Sequence, residues 1–172
     1  MKLLADYTLS SNASSISFTG LDTAMAYNNF LIFYRLRQND VASSGFHISG
    51  NYGSGATYSG SSSLAMTTGS QTIYTFGSNS EGMRIDYSAA GTQDYGHGYG
   101  VMHMSNRLAG DKLFIVGRYG MAIGLNNGFQ SVYNGFFSGQ SGTANASNIT
   151  SVRFSTGSSV QFTQAKITIY GV

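Results

Sequence analysis

The chain has 172 residues with no cysteine, no proline and only 9% charged residues, so neither disulfides nor a thiolate metal site can hold it together. Its net charge of +2 comes from nine scattered cations, with no basic stripe of the kind a nucleic-acid binder carries, and no stretch approaches the ~20 apolar residues of a membrane helix. What is left is one nearly uncharged domain over residues 1–172, long enough to bury roughly 70% of its unfolded surface.

In chain order, apolar residues alternate with polar ones, and the spacing of an amphipathic helix is nowhere sustained. Lys2 to Leu9 reads as a strand with Leu3, Ala5, Tyr7 and Leu9 on one face, and Ser14 to Thr19 as a second with Ile16 and Phe18 inward. Asn29 to Gln38 follows: Phe30, Ile32, Tyr34 and Leu36 face one way, and Leu31 and Phe33 give way to Arg35 and Arg37 on the other. Its first half is expected to be buried on both faces. Phe46 to Ser49 is a further strand.

From Gly50 to Gly82 the sequence is mostly Gly, Ser and Thr, so residues 50–82 are expected to form a long excursion whose interspersed Tyr52, Tyr58, Tyr74 and Phe76 favour ordering by contact. Later strands are expected at Met83 to Ser88, Val101 to Asn106, Lys112 to Tyr119, Gln130 to Phe137, Thr150 to Ser155 and Lys166 to Tyr170. About ten short strands with turn formers between them predict an all-β fold, a two-sheet antiparallel sandwich of jelly-roll type.

The chemistry-bearing residues are sparse. Seven acids occur, and no two sit at the spacing of an acid/base pair; no Gly-x-Ser-x-Gly elbow and no phosphate loop is present. His47, His97 and His103 could join Asp94 around a metal, but His47 and His103 fall among ordinary strand residues, which favours plain strand histidines. The expectation is a protein that is not an enzyme, with no catalytic residues, metal or cofactor.

A surface poor in Lys and Glu and rich in Tyr and Phe is cheap to desolvate against a partner. The most distinctive segment is Gln93 to Gly100, QDYGHGYG, where Tyr95, His97 and Tyr99 are separated by glycines; as a loop tip it would offer flat aromatic faces to a sugar or a protein pocket. In NNGFQSVYNGFFSG the adjacent Phe136 and Phe137 cannot share a face of one strand, so one of them points outward. The candidate interaction surface is thus Tyr52, Tyr58, Tyr95, His97, Tyr99, Phe136 and Phe137.

Both ends of the chain resemble a family of small tailed-bacteriophage virion proteins with a jelly-roll domain. ADYTLSSNASSISFTGLDTAMAYNNFLIFYRLR is similar to that family's opening pair of strands, linker and long third strand ending in Arg. ITSVRFSTGSSVQFTQAKITIYGV resembles its closing hairpin, and HISGNYGSGATY is a weaker echo. The resemblance covers about a third of the chain, carries no catalytic signature and leaves the middle unmatched.

It implies a virion protein, either a capsid decoration (cement) protein or a tail-fibre or receptor-binding module, commonly a homotrimer. A sandwich that starts at residue 3, with no attachment segment or shaft, favours decoration, with the major capsid protein as partner; the alternative partner is a tail component or a host glycan. MKLLADYTL lacks the apolar core of a secretory signal, so the expected address is the virion, assembled in the host cytoplasm, with no nucleic-acid or membrane partner.

Overall fold

The computed structural model describes residues 1–21, 27, 29–38, 47–50, 57–65, 71–79, 83–84, 97–105, 114–123, 129–138, 140–141, 151–156 and 160–172, with 57–98 and 105–141 described through the backbone alone. Among these residues there is no helix. The strands in chain order are β1 (Lys2–Thr8), β2 (Ser15–Thr19), β3 (Asn29–Gln38), β4 (His47–Gly50), β5 (Thr57–Ala65), β6 (Gln71–Asn79) and β7 (Met83–Arg84). They continue as β8 (His97–Ser105), β9 (Phe114–Ile123), β10 (Phe129–Ser138), β11 (Gln140–Ser141), β12 (Ser151–Ser155) and β13 (Phe162–Gly171).

They form two antiparallel sheets. The larger runs β1-β13-β3-β8-β9-β10-β5, with β11 following β10 along the same edge of β5 and β6 on its other edge; the smaller runs β2-β12-β4-β7. Consecutive strands at both ends of the chain therefore cross between sheets: β1 and β2 lie in different layers, as do β12 and β13. The closing segment is thus not a hairpin, because β13 pairs on both sides within the large sheet, with β1 and β3, and has no free edge for β12.

Alternation explains the core. Phe30, Ile32, Tyr34 and Leu36 of β3, Ile167 and Ile169 of β13, and Met102 and Met104 of β8 are buried on one face of the large sheet. They meet Ile16 of β2, Ile48 of β4, and Val152 and Phe154 of β12 in one cluster, so the two layers share a single apolar interior. Aromatic rings join the layers: Tyr7 meets Phe18 edge-on at 5.8 Å between centroids, and Tyr34 lies 5.8 Å from Phe154. At one end of the core Gln38 is fully buried, with no hydrogen-bond partner for its side-chain amide among the described residues.

The corner between layers is held by backbone. Ala13 N donates to Phe162 O at 3.2 Å and Phe162 N returns a bond to Ala13 O at 2.8 Å. Thr156 donates through its hydroxyl to Val160 O at 2.6 Å and through its amide to Ser14 O at 3.0 Å, which closes the connection into β13. Gly20, just beyond β2, takes φ 70°, a left-handed turn that a Cβ would strain.

Four sequence expectations need correction besides the hairpin. Ala5, Tyr7 and Leu9 pack toward the core as expected but Leu3 does not: the pairing with β13 shifts register between Leu3 and Ala5, so Leu4 joins Ala5 against the core while Leu3 stays 52% exposed. A bulge of this kind inserts one residue and turns the preceding side chain to the other face. Leu3→Ser is expected to change stability by no more than about 0.5 kcal/mol, whereas Leu4→Ala should cost about 1–2 kcal/mol; urea unfolding of the two variants checks the placement.

The first half of β3 is not buried on both faces, since the small sheet covers one side only and Phe33 remains 44% exposed on the other. Within the expected excursion of residues 50–82 the described residues are strands: β5 and β6 pair antiparallel and extend the large sheet, because backbone bonding to a neighbouring strand does not require apolar side chains. The end of QDYGHGYG is not a loop tip either, since His97 to Gly100 open β8, a strand paired on both sides.

Candidate functional site

The register of the large sheet sorts the candidate residues into faces. Paired residues across antiparallel neighbours share a face, so the rows containing the buried Tyr34 and Ile32 mark the core side, and those containing Phe33 and Leu31 mark the outer side. Tyr99 pairs with Arg35 and lies on the outer face, 53% exposed; His97 pairs with Arg37 on the same face. Phe136 pairs with Val116, which pairs with His103, which pairs with Leu31, and so occupies an outer row; Phe137 pairs with Ile115 and falls on the core-side register. Tyr58 stands on β5 opposite Asn79 and Gln140. Tyr52 and Tyr95 lie outside the described residues.

The structure therefore brings Tyr99, His97 and Phe136 onto one sheet face, although they come from two segments read separately in the sequence. The histidines are not gathered. His47 is buried in the small sheet opposite Ser155, and His97 and His103 stand six positions apart along β8, about 20 Å.

Two features of that outer face were missed by sequence reasoning. The first is an apolar strip: Leu3 pairs with Tyr170, which pairs with Leu31, and Phe33 packs edge-on against Tyr170 at 6.0 Å. The second is a shallow groove of about 270 Å³ beside the end of β1, lined by Thr8, Leu9, Arg35, Arg37, Gln164 and Lys166. Arg35 sits directly across from Lys166, and Arg37 across from Gln164. Like charges opposed across a pair repel, so this arrangement costs stability unless an anion lies nearby.

Asp6 meets part of that need. Its carboxylate accepts from Lys166 Nζ at 2.8 Å and from the Thr168 hydroxyl at 2.9 Å. Those bonds, the Lys166 one foremost, hold its carboxyl below the ordinary carboxylate range. Because the folded form binds the proton more weakly than the unfolded chain, the pair's contribution is present above the ordinary carboxylate range and is lost as pH falls through the lowered value. An NMR titration is expected to show Asp6 titrating below a peptide carboxyl, with Lys166→Met moving it back up. The pair is solvent-exposed, so added salt should erase most of its effect.

At the far end of the sheet is a different feature. β6, QTIYTFGSN, has no charged residue and no proline over nine positions, and among the described residues it pairs on one side only, with β5. The opposite edge, β1, carries Lys2, Asp6 and a bulge, all devices that discourage a further strand.

Comparison of the chain with protein-family models, with curated proteins and with solved structures gave no match.

Proposed function

We propose that this chain is a non-catalytic virion structural protein, a jelly-roll domain that decorates a capsid and stabilises it through protein-protein contacts. The strand order supports the jelly-roll part. Eight strands surround the shared core: numbered in chain order, the first, eighth, third and sixth make one layer (β1-β13-β3-β8) and the second, seventh, fourth and fifth the other (β2-β12-β4-β7). That nesting of two Greek keys is the order of a jelly roll, an architecture of viral capsid and lectin domains. In this reading β5–β6 and β9–β11 are two insertions that widen one layer past β8.

The observation that carries the docking part is the edge of β6. A nine-residue uncharged strand that, among the described residues, has one unpaired side is a template for backbone pairing, and the docking mode is addition of a capsid-protein strand to it, with main-chain hydrogen bonds supplying affinity. Many copies, each with a modest interface, then reinforce the shell together, and a homotrimer would add avidity.

The test mixes purified protein with capsids stripped of it and images them, alongside a Thr75→Lys variant that puts a charge on this edge. The parent should coat the shell at a regular lattice position and the variant should not. Absence of the parent from capsids, or its confinement to the tail, ends the decoration reading; equal coating by the variant ends the role of β6.

A further inference from the structure

The groove at the β1 end of the large sheet has no part in the docking described above, since β6 and β1 lie at opposite ends of the sheet. Three of the nine cations in the chain, Arg35, Arg37 and Lys166, line it. They come from β3 and β13, the third and the last strands of the chain, so only the fold assembles them.

Arg35 and Arg37 share a face two residues apart, about 6.7 Å along the strand, and Lys166 stands about 5 Å across from Arg35. Asp6 neutralises Lys166 from the side away from Arg35. Arg35 itself is exposed and directed to solvent on the outer face. A planar guanidinium in that position offers two parallel N–H donors, the geometry that a carboxylate accepts in a paired fashion.

The neighbours narrow the ligand. Thr8 and Gln164, at the groove wall, present a hydroxyl and an amide that both donate and accept, which suits sugar hydroxyls. Tyr99, paired with Arg35 on its other side and 53% exposed, provides a flat ring for the apolar face of a pyranose. The basic area ends with this groove, too small for the run of phosphates that nucleic acid requires.

We propose that this groove, with Arg35 in its lining and Tyr99 beside Arg35 on the neighbouring strand, binds a carboxylate-bearing saccharide such as a uronic acid unit of an acidic polysaccharide. Arg35 grips the carboxylate, Arg37 adds positive field, Gln164 and Thr8 bond the hydroxyls of that unit, and Tyr99, three strands across from Thr8, stacks on an adjoining ring of the polysaccharide. The site is independent of what β6 docks on, and its failure would leave the capsid reading untouched.

Titration calorimetry with polygalacturonate, neutral dextran and polyglutamate at one ionic strength tests it, using the parent protein, Arg35→Ala and Tyr99→Ala. Both side chains are exposed, so the variants should melt with the parent. The parent should bind polygalacturonate, ignore dextran and bind polyglutamate more weakly. Arg35→Ala should weaken polygalacturonate binding by about tenfold or more, the effect of losing a charge-assisted bond, and Tyr99→Ala by several-fold. Polygalacturonate bound no better than dextran, polyglutamate bound as tightly as polygalacturonate, or either variant binding like the parent would each overturn the proposal.

Discussion

Phe154→Ala is expected to cost about 3–5 kcal/mol in urea unfolding, with the denaturant slope unchanged. Phe154 is fully buried on β12, the second strand of the small sheet, and its ring meets Phe18 of the same layer at 6.5 Å and Tyr34 of the opposite layer at 5.8 Å. Truncation removes the transfer energy of a whole ring and leaves a cavity between sheets whose backbones are fixed by pairing on both sides, so little collapse can refill it. A loss below about 1 kcal/mol would mean that the layers do not meet at this residue. The same variant should sharpen no other property: β12 keeps its ladder with β2 and β4, so circular dichroism should remain that of a β protein.

The second large effect is at Gly171, where size alone decides the sign. Glycine within a strand is ordinarily a weakness of roughly 0.5–1 kcal/mol relative to alanine, so Gly171→Ala would be expected to stabilise if space allowed. It does not: a Cβ built at Gly171 falls within 2.7 Å of the Cγ, Cδ2 and Cε2 atoms of Tyr27. These atoms belong to a rigid ring partly buried against the core, and Gly171 itself is paired on both sides, with Lys2 and Phe30. The ring is rigid and the Gly171 backbone is held by pairing on both sides, so overpacking outweighs the entropy gain.

Gly171→Ala should therefore destabilise by about 1–3 kcal/mol, and Gly171→Val by more. Repeating Gly171→Ala in a Tyr27→Ala background makes the cause visible, because the alanine then has room and its penalty should vanish. A Gly171→Ala protein as stable as the parent in both backgrounds would show that Tyr27 does not lie over the end of β13.

Much of the interior could be read from alternation. Phe30, Ile32, Tyr34 and Leu36 of β3 and Ile16 of β2 are buried as the period of two requires, since each lies on a strand covered on one face by the other layer. Alternation fails where the backbone departs from regular pairing. The doublet Leu3–Leu4 is ambiguous by pattern alone, and only the bulge against β13, set by residues at the other end of the chain, decides which leucine turns inward.

The strands β5 and β6 within the Gly- and Ser-rich stretch are illegible for a different reason. Turn-forming composition reports local preference, whereas strand formation here follows from a neighbour's ladder, which composition does not encode. His97 and Tyr99 were recognisable as unusual, yet their place on a central strand follows from pairing with Arg37 and Arg35 of β3. Arg35 and Arg37 themselves read as two unremarkable cations after a hydrophobic run; their companions Gln164 and Lys166 lie on the final strand, and only the β3–β13 register unites the four.

The whole account depends on the last strand lying between the first and the third while its predecessor in the chain lies in the opposite layer. Interstrand nuclear Overhauser contacts in the labelled protein measure this directly. Backbone contacts of Ile167 with Tyr7 and with Tyr34, together with contacts of Val152 with Phe18 and with Gly50, are the expected result. Backbone contacts running between 151–155 and 162–171, the signature of a terminal hairpin, would contradict it.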